Sequence, residues 1–403
     1  VGLSFTPEMQ ITLSDYLIGT SRFQSINKII TYNIEWKKEA YENLRTLLYH
    51  MRELEASDMD IGGFGSKNLV WYRIYGRKAP DEEVNQYTDD EVCAILLSIL
   101  SDDQKITLFK EKNVDFSLSI SLAEDEPPSR FRGDVYYESN SLAANFRLIK
   151  QDLFSIEELG FPPPIVKRLD LNYEKSGLIL VTGLTGSGKS CTLDSIIDMN
   201  NHNNAAHIIV IGNPIEFIHK SDKCIIRHRE IGEDVMTFQQ GTIQSLRQDP
   251  DIIVVGEMRD PETIATVLEV TDSGHKVFTT LHTSSALDSI HRIIGEFPTN
   301  EQERIRLRLA DVLRVIISLK LVPNRNGKLT LAKEILSVDG SIRSAIRNQN
   351  IGEVYQMITE GKKKGMITME QDLANLFEQN IITKETALNY ANSRKRMNLL
   401  FSY

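Results

Sequence analysis

Residues 178–190 read "LILVTGLTGSGKS", and the fold turns on how this stretch is read. Gly183–Ser190 matches G-x-x-x-x-G-K-[ST] in full. An apolar strand, Leu178–Val181, enters the loop, and a helical stretch, Ser190–Met199, leaves it, which is the setting in which such a loop holds phosphate. The glycines let backbone N–H groups curl round a β-phosphate, aided by the positive end of the helix dipole. Lys189 is expected to reach the β- and γ-phosphates, and the Ser190 hydroxyl to take Mg²⁺. A Gly-rich turn that only links strand to helix is the bland alternative. It is disfavoured because strand, helix, Lys and Ser are all in place. The cradle alone indicates a nucleotide and leaves the reaction open.

Outward from the loop, short apolar strands alternate with helical stretches: "LILVTG", "HIIVIG", "DIIVVGE" and "HKVFTTLHT". Near-continuous β-branched runs of this kind predict a parallel sheet buried on both faces. The tail from Arg306 reads as mostly helical. Upstream lies "GFPPPIVKRL" (160–169), whose three consecutive prolines predict a boundary or hinge. Residues 57–150 read as α+β. "NLVWYRIYG" and "VDFSLSI" alternate as strands, and "TDDEVCAILLSILSDDQKITLFKE" is a helical pair opened by a Thr88 cap. "RFRGDVYYESNSLAANFRLI" is a hairpin with its turn near "SNS". A helix is expected near Glu35–Arg52, where Leu44, Leu47, Leu48 and Met51 recur at helical spacing.

The chain's 403 residues suit two domains. Its net charge of −10 gives no electrostatic support for nucleic acid as a direct ligand. The run Lys362–Lys364 is read as a solvated loop or helix end. Cys93, Cys191 and Cys224 are far apart and form no C-x-x-C pair, which argues against zinc and disulfides and fits a reducing cytosol. No apolar run is long enough to span a bilayer, so a cytoplasmic location, with any membrane association peripheral and through a partner, is expected.

Hydrolysis of a γ-phosphoryl group needs an oriented water, neutralised charge and in-line geometry. Two acids stand where ligands bind in open α/β sheets, beyond the carboxyl ends of strands. Glu257 follows Ile252–Val255 in "DIIVVGEMRD", with Gly256 where an Asp is usual, so Glu257 alone is left to hold Mg²⁺, through water. Glu216 follows Ile208–Ile211 in "VIGNPIEFIH" and is the choice for polarising the attacking water. For each carboxylate the plainer reading is a helix N-terminal acid or a surface ion pair. His282 ends "KVFTTLHT" at the same edge, suited to sensing a γ-phosphate or a neighbouring subunit, or simply a satisfied polar side chain. His275 belongs to the opposite edge.

"GLTGSGKS", "NPIEF", "LRQDPDIIVVGEMRDPET" and "SGHKVFTTLHT" occur in the order and spacing of the secretion ATPase superfamily, which the chain resembles over roughly residues 56–395. The missing Asp before Gly256-Glu257 is a feature of that group. "ASDMDI", "YGR", "FRLI", "ELGFP" and "IRNQNIGEVYQMITEGKKKGMITMEQDL" point to its pilus-retraction (PilT-like) branch, with relatives in type IVB secretion and conjugation. The resemblance implies a PAS-like N-terminal α+β domain followed by a RecA-like P-loop domain with a mainly parallel sheet and a helical C-terminal tail. On that basis the divisions are 1–55, an extension without assigned role; 56–160, the PAS-like domain; 161–172, a Pro-rich linker; 173–340, the ATPase domain; and 341–403, a helical region.

It also implies a homohexameric ATPase that uses ATP and Mg²⁺ and works with an inner-membrane platform or secretion-complex protein. Position by position, Gly183, Thr185, Gly186, Ser187, Gly188, Lys189, Ser190 and Cys191 match the nucleotide loop. Glu216 matches the catalytic glutamate of the Asp box, Glu257 the lone Walker B acid, and His282 a His-box histidine. Arg132 and Arg147 match first-domain arginines that reach the phosphates, an arrangement that couples domain movement to chemistry.

Two departures stand out. The Asp box usually has two acids before its Pro; here Gly212 and Asn213 remove them and leave Glu216 as its only carboxylate. Where many relatives carry Gln-Arg-Gly, this chain has "ESNS" (138–141), which throws more load onto Arg132 and Arg147. Surface ion pairs are the plainer role for those two arginines. Two rival readings remain: a nucleotide-binding regulatory scaffold with weakened hydrolysis, favoured by Gly212 and Asn213, and a RecA-type nucleic-acid motor, disfavoured by the acidic chain.

Overall fold

The computed structural model describes residues 2–74, 77–81, 86–122, 128–149 and 153–402. Two compact units divide the chain, Val1–Gln151 and Asp152–Tyr403. Of the sequence signals above, Tyr75 and Gly76 of "YGR" lie outside the described residues.

The first unit is built on an antiparallel sheet of β1 (Asp58–Gly62), β2 (Val70–Ile74), β3 (Arg77–Asp81), β4 (Asn113–Ile120), β5 (Ser129–Glu138) and β6 (Ser141–Ile149), in the order β3-β2-β1-β6-β5-β4. The β5–β6 hairpin turns at Ser139 and Asn140, both left-handed, as the "SNS" signal anticipates. Helix Asp89–Ile99 packs on this sheet and is buried from Asp90 to Ser98. That explains its sequence, which is apolar nearly all round. Thr88 and Glu91 form the capping box that starts it.

The first 55 residues, for which the sequence suggests no role, belong to this unit's core. They form helices Thr6–Thr12, Gly19–Tyr32 and Ile34–Glu53. Met9, Ile26, Ile30, Leu44 and Leu48 are buried in the same apolar cluster as Val92–Leu97. Polar anchors fix the docking. The buried Glu91 accepts from Leu3 N (3.0 Å) and Thr6 Oγ1 (2.6 Å), and Arg22 grips Asp90 through Nε (2.6 Å) and Nη2 (2.7 Å).

In the second unit, β7 (Gly177–Thr182), β8 (His207–Gly212), β9 (Ile225–Glu230), β10 (Ile252–Val255), β11 (Lys276–Leu281), β12 (Leu313–Pro323) and β13 (Leu329–Ser337) are ordered β13-β12-β7-β11-β10-β8-β9. All neighbours pair in parallel except β12 and β13. Strands β7, β10 and β11 are buried along their whole length, as their unbroken apolar runs require.

One expectation is corrected by the strands that follow. The tail from Arg306 is not helical throughout: after helix Thr299–Val312, "LRVIISLKLVP" and "LTLAKEILS" are the antiparallel pair β12–β13, whose β-branched content suits a strand buried beside β7. The proline run opens a helix. Pro162 is the N-cap of helix Pro163–Leu169. Proline is tolerated there because the first helical N–H groups have no intrahelical partner to lose, and Ile165 and Leu169 are fully buried. Beyond β13 the chain is helical, from Gly340–Arg347 to Arg394–Leu400. Lys362–Lys364 is a short 3₁₀ turn, with Lys364 bonded to Asp339. Among the described residues no helix is long and apolar enough to cross a membrane.

Candidate functional site

The carboxyl edge of the second sheet gathers most of the residues singled out above. The loop Gly183–Ser190 leaves β7 and runs into helix Lys189–Asn203. Gly183, Gly186 and Gly188 hold φ of 150°, 78° and 91°, conformations that turn successive N–H groups toward one concavity. Lys189 is buried and folds back on the loop, donating from Nζ to Gly183 O (2.8 Å) and Leu184 O (3.1 Å). Burial lowers its pKa, while Glu216 and Glu257 oppose that shift, so both acids act on the loop lysine.

Glu257 stands two residues past β10, half-buried, and its turn is tied down by Gly256 N to Ile211 O (2.8 Å) and Thr280 Oγ1 to Gly256 O (2.5 Å). Its Oε2 lies 2.8 Å from Arg259 Nε and 3.9 Å from His282 Nε2. Partial burial, Lys189 and Arg259 all lower the His282 pKa, with Glu257 opposing. His282 is therefore a neutral imidazole at neutral pH. Glu216 sits exposed on the loop after β8. Buried Ile215 anchors that loop, its N–H donating to Glu230 Oε2 (3.3 Å). A side chain at Gly212 would approach Ile215 Cγ1 to 2.9 Å, so the missing acid at 212 has a steric reason. Cys191 follows Ser190 on the helix, and burial raises its thiol pKa. His275 lies on the amino edge, before β11, bonded to Ser273 Oγ (3.0 Å).

The residues present fit a phosphate. A Cβ at Gly183 would lie 2.3 Å from Ser187 Oγ, so only glycine leaves that wall of the cradle open. The Ser187 hydroxyl is buried with no hydrogen-bond partner. Beside the loop is a concavity of about 570 Å³ whose lining includes Leu184, His282, Thr283, Ser284, His291 and Arg292. Sequence reasoning passes over three members of this neighbourhood: Arg259, Asp194 and His219. Arg259 is visible only as a cation two residues beyond Glu257. Asp194 and His219 meet through the fold, one from the P-loop helix and one from the Glu216 loop.

Arg132 and Arg147 belong to the first unit, where they stand directly opposite each other on β5 and β6. Like charges so placed repel, and each is held by a carboxylate. Arg132 Nε meets Asp115 Oδ1 at 3.0 Å, and Arg147 Nε meets Asp58 Oδ1 at 2.8 Å. With Asn113, Asp134 and Asn145 they line a basin of about 260 Å³.

Residues 110–398 match the family model described as Type II/IV secretion system protein. The chain is similar to a twitching motility protein of Neisseria gonorrhoeae, 37% identical over 76% of this chain and 80% of that one. It is similar also to the type IV pilus retraction ATPase PilT of Pseudomonas aeruginosa, 36% identical over 74% and 84%. Among solved structures, the crystal structure of the pilus retraction motor PilT with bound ADP superposes with a TM-score of 0.79 at 36% identity, covering 88% of this chain and 98% of that one.

Proposed function

Because the chain belongs to the Type II/IV secretion system protein family, we propose that it is an ATP-hydrolysing motor of the pilus-retraction kind. One observation carries this reading: an intact phosphate loop, its lysine folded back on Gly183 O and Leu184 O, shares the carboxyl edge of the sheet with Glu257 beyond β10 and Glu216 beyond β8. A loop built only to hold nucleotide has no need of a second carboxylate.

Lys189 would exchange its two carbonyl acceptors for phosphate oxygens, since an anion offers the ammonium a stronger, charge-assisted bond. The loop N–H groups and the helix N-terminus hold the remaining phosphate charge. Ser190 and Glu257 are the residues suited to Mg²⁺, Glu257 through water, and the ion when bound supplies further neutralisation of the phosphates. Glu216, exposed and on a pinned loop, orients the water and accepts its proton. Arg259 holds the Glu257 carboxylate in place. Neutral His282 has a ring nitrogen free to donate toward a γ-phosphate.

In the same proposal Arg132 and Arg147 trade Asp115 and Asp58 for phosphate, and the chain works as a homohexamer at the inner membrane with a platform protein. The 36% identity to a pilus retraction ATPase over most of both chains supports a motor over a regulatory scaffold. Steady-state phosphate release by wild type, Lys189→Ala and Glu216→Gln tests it. Turnover that is lost in both variants, with nucleotide binding kept in Glu216→Gln, is expected. Wild-type protein that binds nucleotide and releases no phosphate would leave the scaffold reading standing.

A further inference from the structure

We propose that Asp194 and His219 are positioning residues, clasping the loop that carries Glu216 to the helix that carries Lys189 and Ser190. The inference rests on the reading above, in which Glu216 orients the water. Asp194 lies one helical turn beyond Ser190, so it shares a helix face with the metal-binding hydroxyl. His219 lies three residues beyond Glu216. His219 Nε2 and Asp194 Oδ1 are 3.2 Å apart, and the imidazole is 1% exposed.

The histidine is fixed from several sides. Its backbone N–H donates to His228 Nε2 on β9 at 3.1 Å. The two imidazoles stack, with centroids 5.9 Å apart and planes at 5°, and Phe217 tilts against His219 with centroids 4.7 Å apart. Its Nδ1 is buried without a hydrogen-bond partner, so Asp194 is the polar group that holds this ring. The other end of the loop is pinned by Ile215 N to Glu230. Glu216 is suspended between two anchors, and only the Asp194–His219 anchor leads to the phosphate helix.

Burial acts on both partners. Burial pulls the imidazole down to about 4. Burial, and then Glu216, push the Asp194 carboxyl well above the usual range. Both directions disfavour a buried ion pair, whose desolvation is costly, and leave the hydrogen bond as the contact.

The test uses the full chain and five variants: Asp194→Ala, Asp194→Asn, His219→Ala, His219→Phe and Glu216→Gln. It reads kcat and KM for ATP, the Kd of a fluorescent ADP analogue, and the melting temperature. Loosening the loop should lower kcat by about 10- to 100-fold in Asp194→Ala and His219→Ala, because small misplacements of a reacting group cost that much. The Kd should stay within about three-fold. Asp194→Asn, which can still hydrogen-bond, should recover most of the rate. His219→Phe keeps the stacked ring and loses only the bond, so it carries the test if the alanine variants do not fold. Adding Asp194→Ala to Glu216→Gln should cost nothing more, as expected for residues acting as one unit.

A folded Asp194→Ala or His219→Phe with kcat within about two-fold of wild type overturns the clasp. So does a parallel loss of kcat, affinity and melting temperature with no rescue by asparagine. If Glu216→Gln itself turns over normally, the functional reading falls first. If Glu216→Gln is inactive while Asp194→Ala is active, only the clasp falls.

Discussion

Replacing Gly183 by alanine should damage the second unit far more than the same change at Gly186, although both are loop glycines with positive φ. At Gly183, φ is 150°, and a Cβ would lie 2.3 Å from Ser187 Oγ and 2.7 Å from the carbonyl oxygen of Leu319. The Ser187 side chain can rotate away, but the Leu319 oxygen belongs to the backbone of β12 and cannot. Backbone strain of about 1–3 kcal/mol then adds to overpacking of about 1–3 kcal/mol, for a total of roughly 2–6 kcal/mol. At Gly186, φ is 78° and a Cβ would meet nothing within 4 Å. Only the left-handed penalty remains, about 1–2 kcal/mol.

For a unit of this size each kcal/mol moves the melting temperature by about 2–4 °C. Gly183→Ala should therefore melt about 10 °C lower, and Gly186→Ala only a few degrees lower. Differential scanning calorimetry on the full chain, with and without ADP, reads this directly. ADP should rescue Gly186→Ala more than Gly183→Ala, whose cradle is distorted. Equal melting temperatures for the two variants would refute the steric argument.

Three further outcomes follow from the pairs and buried charges. Arg22→Ala leaves Asp90 without its two guanidinium bonds and should cost about 1–3 kcal/mol, read as a lower denaturant midpoint for the first unit. Arg147→Ala should destabilise more than Arg132→Ala, because Asp58 is far more buried than Asp115; equal denaturant midpoints would contradict this. Burial pulls Lys276 from 10.5 down to about 8, although its ammonium donates to the carbonyl oxygens of Arg168, Asp170 and Glu174. The folded chain thus binds fewer protons than the unfolded chain between those values. This group alone makes stability rise with pH across that window, by about 3 kcal/mol in all. Lys276→Met should flatten that rise, and an unchanged slope would show that the ammonium is not held as described.

The second sheet was legible because its signals are local. Apolar runs such as "IIVV" and the loop after β7 announce a buried parallel sheet without reference to any partner. The Thr88 capping box and the "SNS" turn are likewise short-range devices. What stayed hidden depends on distant partners. The strand β12 follows helix Thr299–Val312 without a break and carries Arg314 and Lys320, and only its pairing with β7 and β13 selects the extended form. The first 55 residues were left without a role because the groups that receive them, Glu91 and Asp90, lie on a helix much later in the chain. Gly212 read as a lost acid, whereas its neighbour Ile215 shows that the position is crowded. Arg259 and His219 were passed over for a similar reason: neither stands out until Glu257 and Asp194 are brought beside them.

Lys189 and its two carboxylates are the centre of the site, and the decisive measurement is a structure of the full chain with Mg²⁺ and a non-hydrolysable ATP analogue. Lys189 Nζ should leave the carbonyl oxygens of Gly183 and Leu184 for the phosphates, with Glu216 facing the γ-phosphate and Glu257 facing the ion beside Ser190. Nucleotide bound away from Gly183–Ser190, or a lysine still seated on its own loop with the analogue present, would contradict it.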